Sequence, residues 1–177
     1  MRMSRRLTVA LLAVAAIALS AIGAASASAE EVKPLINSTL VGSIPSDPMI
    51  HGVTAGGAPW VVKASTFNLL SNGAVVVAVK GLVIPGLGTP GPVNEIDAAI
   101  YCGADTTAAA TTKSVKLNEK GNALIVDKVT LPKRCFAPQV LINPNMIPAI
   151  YIAAGGFNLA ELPKFRFRSS IPRSRAA

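Results

Sequence analysis

Two cysteines, one histidine and three carboxylates are the residues whose types and spacing could carry chemistry in this 177-residue chain. Cys102 and Cys135 are the only cysteines and stand 33 positions apart. In an oxidising compartment such a pair is a disulfide, not a redox or metal motif. Closing a loop of that size removes roughly 3.5 to 4 kcal/mol of unfolded-state freedom in the chain-entropy model, comparable to much of a small domain's net stability. Glu95 and Asp97 lie two apart, so a strand carries both on one face, and Asp105 follows beyond the first cysteine. Three carboxylates near one sheet end offer oxygens to calcium, or an acid/base pair for hydrolysis. Solvated loop carboxylates are the plainer reading, and neither a metal nor a cofactor is expected. His51 is the only histidine, so a histidine-based metal cluster cannot be built and any triad would have to use it. It sits in the turn-like Pro48-Met49-Ile50-His51-Gly52, and the chain has no Gly-x-Ser-x-Gly elbow, phosphate loop or dinucleotide fingerprint. His51 reads as a surface imidazole and the protein as a non-enzyme.

The compartment follows from the first residues. Arg2, Arg5 and Arg6 precede an apolar run from Leu7 to Ile22, and the small residues Ala24 to Ala29 follow it. That is the charged, apolar and small-residue order of a signal peptide, with cleavage expected after Ala29. An uncut membrane anchor is the alternative, but the run is short for about 30 Å of hydrocarbon. Segments 1–29, 30–57, 58–163 and 164–177 are therefore expected as signal peptide, loop-rich N-terminal stretch, β domain and basic tail. The formal charge of +8 falls to +5 once the signal leaves. Residues 30–163 balance nine basic against nine acidic side chains, so the whole excess lies in the tail. A nucleic-acid-binding surface needs basic residues clustered on the domain itself, and none is expected here.

The body must bury a core, since 51% of the chain is hydrophobic and only 15% charged, which excludes disorder. One short edge strand is expected before Gly57, where Pro34, Pro45 and Pro48 break the chain. Trp60 to Ala64 and Thr66 to Leu69 are β-rich, and Ser71-Asn72-Gly73 is a tight-turn signal. Ala74 to Val83 is apolar on both faces until Lys80, which predicts a central strand covered on both sides. Pro85 to Pro92 is a loop, either a plain crossover or a functional tip. Ile96 to Cys102 alternates, with Ile96, Ala98, Ile100 and Cys102 inward and Asp97, Ala99 and Tyr101 on the other face. Lys113 to Leu117, a hairpin turn at Asn118 to Asn122, Ala123 to Val129, Gln139 to Ile142 and Ile150 to Ala154 complete the pattern. About eight short strands with turns between them predict an all-β, antiparallel, immunoglobulin-like sandwich with one disulfide, or a barrel. A true immunoglobulin domain is excluded, because Trp60 precedes both cysteines instead of lying between them.

Gly57-Ala58-Pro59-Trp60, Val79-Lys80-Gly81-Leu82-Val83, Ala99-Ile100-Tyr101-Cys102, Leu131 to Pro138 and Ile150 to Phe157 together resemble small secreted proteins of high-GC Gram-positive (actinobacterial) bacteria. The resemblance covers roughly Gly56 to Phe157 and implies location and fold. It brings no activity, ligand or catalytic residue with it. The basic tail is a departure from that group.

That tail, Lys164-Phe165-Arg166-Phe167-Arg168 with Arg173 and Arg175 beyond, alternates aromatic and basic residues. It reads as a last edge strand with a frayed end, or as a contact for an anionic lipid or wall polymer at about 1 kcal/mol per charge. Three functional readings follow. The first is a secreted, monomeric, non-enzymatic structural or binding protein whose ligand and partner are unknown. The second is a cell-envelope protein held to anionic polymer through Lys164, Arg166, Arg168, Arg173 and Arg175. The third is a hydrolase using Glu95, Asp97 or Asp105.

Overall fold

A computed structural model of the chain describes residues 31–156, which consist of strands, turns and loops with no helix among them. β1 (Pro34–Ser38), β4 (Ala64–Leu70), β5 (Ala74–Lys80) and β9 (Ala123–Lys128) form a four-stranded antiparallel sheet in the order β1-β4-β5-β9. The second sheet runs β2 (Leu40–Gly42), β12 (Ala153–Gly155), β10 (Gln139–Pro144), β6 (Glu95–Tyr101) and β7 (Ala110–Thr111), and β8 (Val115–Lys116) pairs with the far end of β6. β3 (Thr54–Ala55) and β11 (Ile150–Tyr151) make a short parallel pair of their own.

One apolar cluster draws on both larger sheets. Phe67, Leu69, Val75, Val77 and Ile125 come from the first; Ile96, Ile100, Val140 and Ile142 come from the second. Trp60 joins the same cluster, which accounts for its place ahead of both cysteines. Alternation explains the choice of side chains, since residues two apart on a strand share a face. The N-terminal stretch is more ordered than a single edge strand. β1 closes one edge of the first sheet and β2 one edge of the second, with Ile36 and Leu40 buried in the shared cluster. Pro34, which has no amide to donate, sits at the first residue of its edge strand.

Two expectations about burial change places. β5 is central in its sheet, but only Val75, Val77 and Val79 are buried; Ala74, Val76 and Ala78 are half-buried. The strand covered on both faces is β6, whose Ile96, Ala98 and Ile100 enter the main cluster while Ala99 and Tyr101 enter a second one. A flap supplies that second layer. Residues 43–58 and 145–151, carrying β3 and β11, lie over the outer side of β6 and β10 and bury Val53, Ala55, Leu141 and Tyr151 with them. Asp97 made β6 look half-solvated in the sequence, and only the flap reverses that.

The chain around Gly121 is a turn, with the Asn118 amide donating to the Asn122 carbonyl, but it is not a hairpin. β8 pairs with β6 and β9 with β5, so this turn passes from one sheet to the other. Gly121 has φ +70°, and an added Cβ would collide with the backbone of Leu82, whose amide the Gly121 carbonyl accepts at 2.9 Å. The expected strand from Trp60 is shorter too: Val61 makes only an isolated bridge with Val83, and β4 begins at Ala64. The Cys102–Cys135 disulfide is present, with Cα atoms 4.9 Å apart. It lies just past the Tyr101–Gln139 end of the β6/β10 ladder and so clamps neighbours within one sheet. Cys102, expected inward with Ile96, Ala98 and Ile100, belongs to neither apolar cluster.

Candidate functional site

The carboxylates of the sequence divide along β6. Glu95 opens the strand, and Asn145, held at φ +47°, accepts the amides of Asn94 and Glu95 through its side-chain oxygen. The Glu95 carboxylate accepts the Ser114 hydroxyl at 2.9 Å and lies 3.9 Å from Lys116 Nζ. Asp97 lies on the same face two residues on, 6% exposed beneath the flap. Burial pushes it up to about 6 from 3.8, with the nearby Glu95 charge adding to the rise. Asp105 is elsewhere. Tyr101 alone is about 13 Å along the strand from Asp97, and Asp105 lies past the disulfide, exposed. Among the described residues no group of three or more His, Cys, Asp and Glu side chains is placed to hold a metal ion.

Opposite Asp97 in the ladder stands Asn143, wholly buried. Its Nδ2 donates to the Ile150 carbonyl at 2.6 Å, which fastens β10 to the flap. Asn143 Oδ1 and Asp97 Oδ1 both lack a hydrogen-bond partner, although both atoms are buried. Burial favours the neutral, protonated form of Asp97, which agrees with its raised value.

The histidine is a clamp. His51, at φ +53°, stacks on Tyr101 with ring centroids 4.4 Å apart and planes 5° from parallel. The Asp105 carbonyl can only accept, so Nδ1–H donates to it at 2.7 Å. Nε2 lies 2.9 Å from the Gln139 carboxamide, whose two ends interchange by a half-turn, so its NH₂ can donate to the ring. His51 thereby ties the flap to the loop after Cys102 and to the start of β10. Tyr151 adds a second tie, donating from its hydroxyl to the Pro48 carbonyl at 2.9 Å. Burial raises both tyrosines, with the Asp97 charge contributing at Tyr101 and the Asp47 charge at Tyr151.

Sequence reasoning named Glu95, Asp97 and Asp105 but missed Asn143, Gln139, Tyr101 and Tyr151. A signal was present: Asp97 and Asn143 are each a polar residue in an apolar strand, and pairing the two strands sets them face to face. The tail residues Lys164, Arg166, Arg168, Arg173 and Arg175 lie outside the described residues, as does the segment expected to be a signal peptide.

Elsewhere the surface of the described residues includes two clefts. One, of about 520 Å³, lies where the start of β4, the end of β5, the Pro85 to Pro92 loop and the turn before β9 meet. The other, of about 450 Å³, runs between residues 109–113 and 127–130, where Asp127 accepts the amides of Lys113 and Lys128 and is held below the usual carboxylate range by those two bonds. Large apolar side chains also face solvent on the outer side of the first sheet: Leu124 is 59% and Val126 69% exposed, paired with Ala78 and Val76. No helix among the described residues is long and apolar enough to cross a membrane. No protein-family model, no curated protein and no solved structure matches this chain.

Proposed function

We propose that the chain is an exported, disulfide-stapled β domain of an actinobacterial exterior that works by binding, not by catalysis. The observation that carries this reading is the division of labour among its side chains. His51, Asn143 and the tyrosines hold loops in place and Asp97 is buried, whereas Leu124 and Val126 on a regular sheet face are turned to solvent. Neighbouring apolar side chains exposed on one sheet face supply the kind of patch through which proteins make contacts. Two sheets sharing one cluster are consistent with an immunoglobulin-like sandwich, although the disulfide joins neighbours of one sheet where the immunoglobulin bond joins two. The hydrolase reading loses support, since Asp97 is buried and Asp105 lies at the other end of the strand.

Two measurements test the proposal. Intact mass of protein from the culture medium should begin at Glu30 and rise by two protons on reduction. A full-length mass with two labelled thiols would end the export reading. The recovered protein should then bind isolated cell envelope saturably, and failure to do so would remove the binding reading. The basic tail supports a second reading, retention on anionic envelope polymer, because it holds the whole charge excess. Deleting Lys164 to Ala177 should abolish salt-sensitive retention on cells; unchanged retention would reject that reading.

A further inference from the structure

The 520 Å³ cleft is within the size range of small-molecule sites, about 300 to 1,000 Å³, and its lining is chemically one-sided. Val61, Val62 and Val83 make apolar walls, and Val61 is 45% exposed despite its bridge to Val83. Gly81 and Gly88 leave the lining without side chains where they face it. Gly81 sits at φ +66° with an added Cβ only 2.8 Å from Lys63 Cβ, whereas Gly88, at φ +67°, has open space there. The far wall is a built loop: the Ile84 amide donates to the Thr89 carbonyl, and the amides of Leu87 and Gly88 donate back to the Ile84 carbonyl. Its turn side is fixed as well, by the Leu82 amide on the Gly121 carbonyl and the Gly81 amide on Asn122 Oδ1.

The charged residues on this lining are Lys63, Lys120 and Glu119, and none of them forms a salt bridge among the described residues. The net of one positive charge matches a monoanion better than a polyanion. Lysine ammonium groups are point charges on flexible stems, which pair with one anionic head group without the two-pronged geometry that an arginine fork reads. A ligand must also cover three valines, which a sugar or inorganic ion cannot do. We propose that this cleft binds a single-chain fatty carboxylate, with the chain against Val61, Val62 and Val83 and the head group between Lys63 and Lys120. The assignment goes beyond the binding reading above, since the cleft is a surface separate from the Leu124 and Val126 face.

Trp60, the only tryptophan, is adjacent to Val61 and gives the reporter. Titrating the disulfide-bonded protein with decanoate below its micelle-forming concentration should change Trp60 emission saturably. Amide shifts in an NMR titration should concentrate at residues 61–63, 81–89 and 119–120. The Lys63→Gln/Lys120→Gln double variant should keep the wild-type unfolding midpoint and bind decanoate at least tenfold more weakly. Decanol should bind wild type no better than decanoate binds that variant, because it lacks the charge. Absence of a saturable signal, unchanged affinity in the double variant, or shifts centred on Leu124 and Val126 would each overturn the assignment. Envelope binding measured in parallel separates the two claims: if it persists while decanoate fails, only the cleft assignment falls.

Discussion

Asp97→Asn should remove a pH dependence that the wild-type protein carries through one buried proton. The folded chain holds Asp97 at about 6, against 3.8 for the ordinary residue, with burial as the main cause. Between those values the folded state keeps a proton that the unfolded state gives up. The stabilisation from that proton is fully present below pH 3.8 and lost as pH rises through about 6. Two pH units at about 1.4 kcal/mol each give about 3 kcal/mol in all, of which about 2 falls between pH 4.5 and 7.5. The substituted carboxamide is nearly the same shape and stays neutral at every pH. Urea unfolding at pH 4.5 and 7.5 measures the effect, and subtracting wild type from variant cancels the opposite contribution of Asp127, whose lowered value weakens the fold in acid. The variant should equal wild type within about 1 kcal/mol at pH 4.5 and exceed it by about 2 at pH 7.5. A stability difference that is flat with pH, or a carboxyl carbon of Asp97 titrating near 4 by NMR, would refute the buried-proton account.

Other perturbations probe the scaffold. His51→Ala removes two hydrogen bonds and an aromatic stack, a loss of about 2 kcal/mol, and hydrogen exchange should quicken first in the flap at residues 50–55 and 149–152. Cys102→Ala with Cys135→Ala opens a 33-residue loop and should cost roughly 3 to 4 kcal/mol by urea unfolding. Gly121→Ala meets both a positive φ and the Leu82 backbone, so thermal unfolding should show a loss of at least about 2 kcal/mol. Asn143→Leu leaves the Ile150 carbonyl without its donor and should cost about 2 kcal/mol, with the β3/β11 pair exchanging fastest.

Much of the architecture was written in local pattern. Alternation at Thr66 to Leu69, the Asn72-Gly73 turn and the two isolated cysteines specify strands, a hairpin and a disulfide through interactions within a few residues or through covalent chemistry. The Asn-Gly pair is realised as expected: Gly73 takes φ +82°, and Asn72 Oδ1 accepts the Ala74 amide at 3.0 Å. The all-β class, the inward place of Ile96, Ala98 and Ile100 on β6 and the central place of β5 all follow from that level.

Partner choice and coverage do not. Leu117 and Ala123 flank the same turn, yet their strands enter different sheets, because which ladder a strand joins depends on edges supplied by remote segments. β6 and β5 exchanged their expected burial for the same reason: only the flap, anchored by His51 and Asn143 and held together by the Tyr151–Pro48 bond across 103 positions, decides which outer face is dry. Asp97 is the sharpest instance. Its residue type states that it is a carboxyl; its raised value comes first from burial beneath the layer above, which the spacing along one strand does not encode, and then from Glu95 two residues away, which it does. Local sequence determined the elements and the staple, since those rest on short-range sterics and one covalent bond. Tertiary structure decided which polar groups lost water, because desolvation depends on what the rest of the chain lays over them.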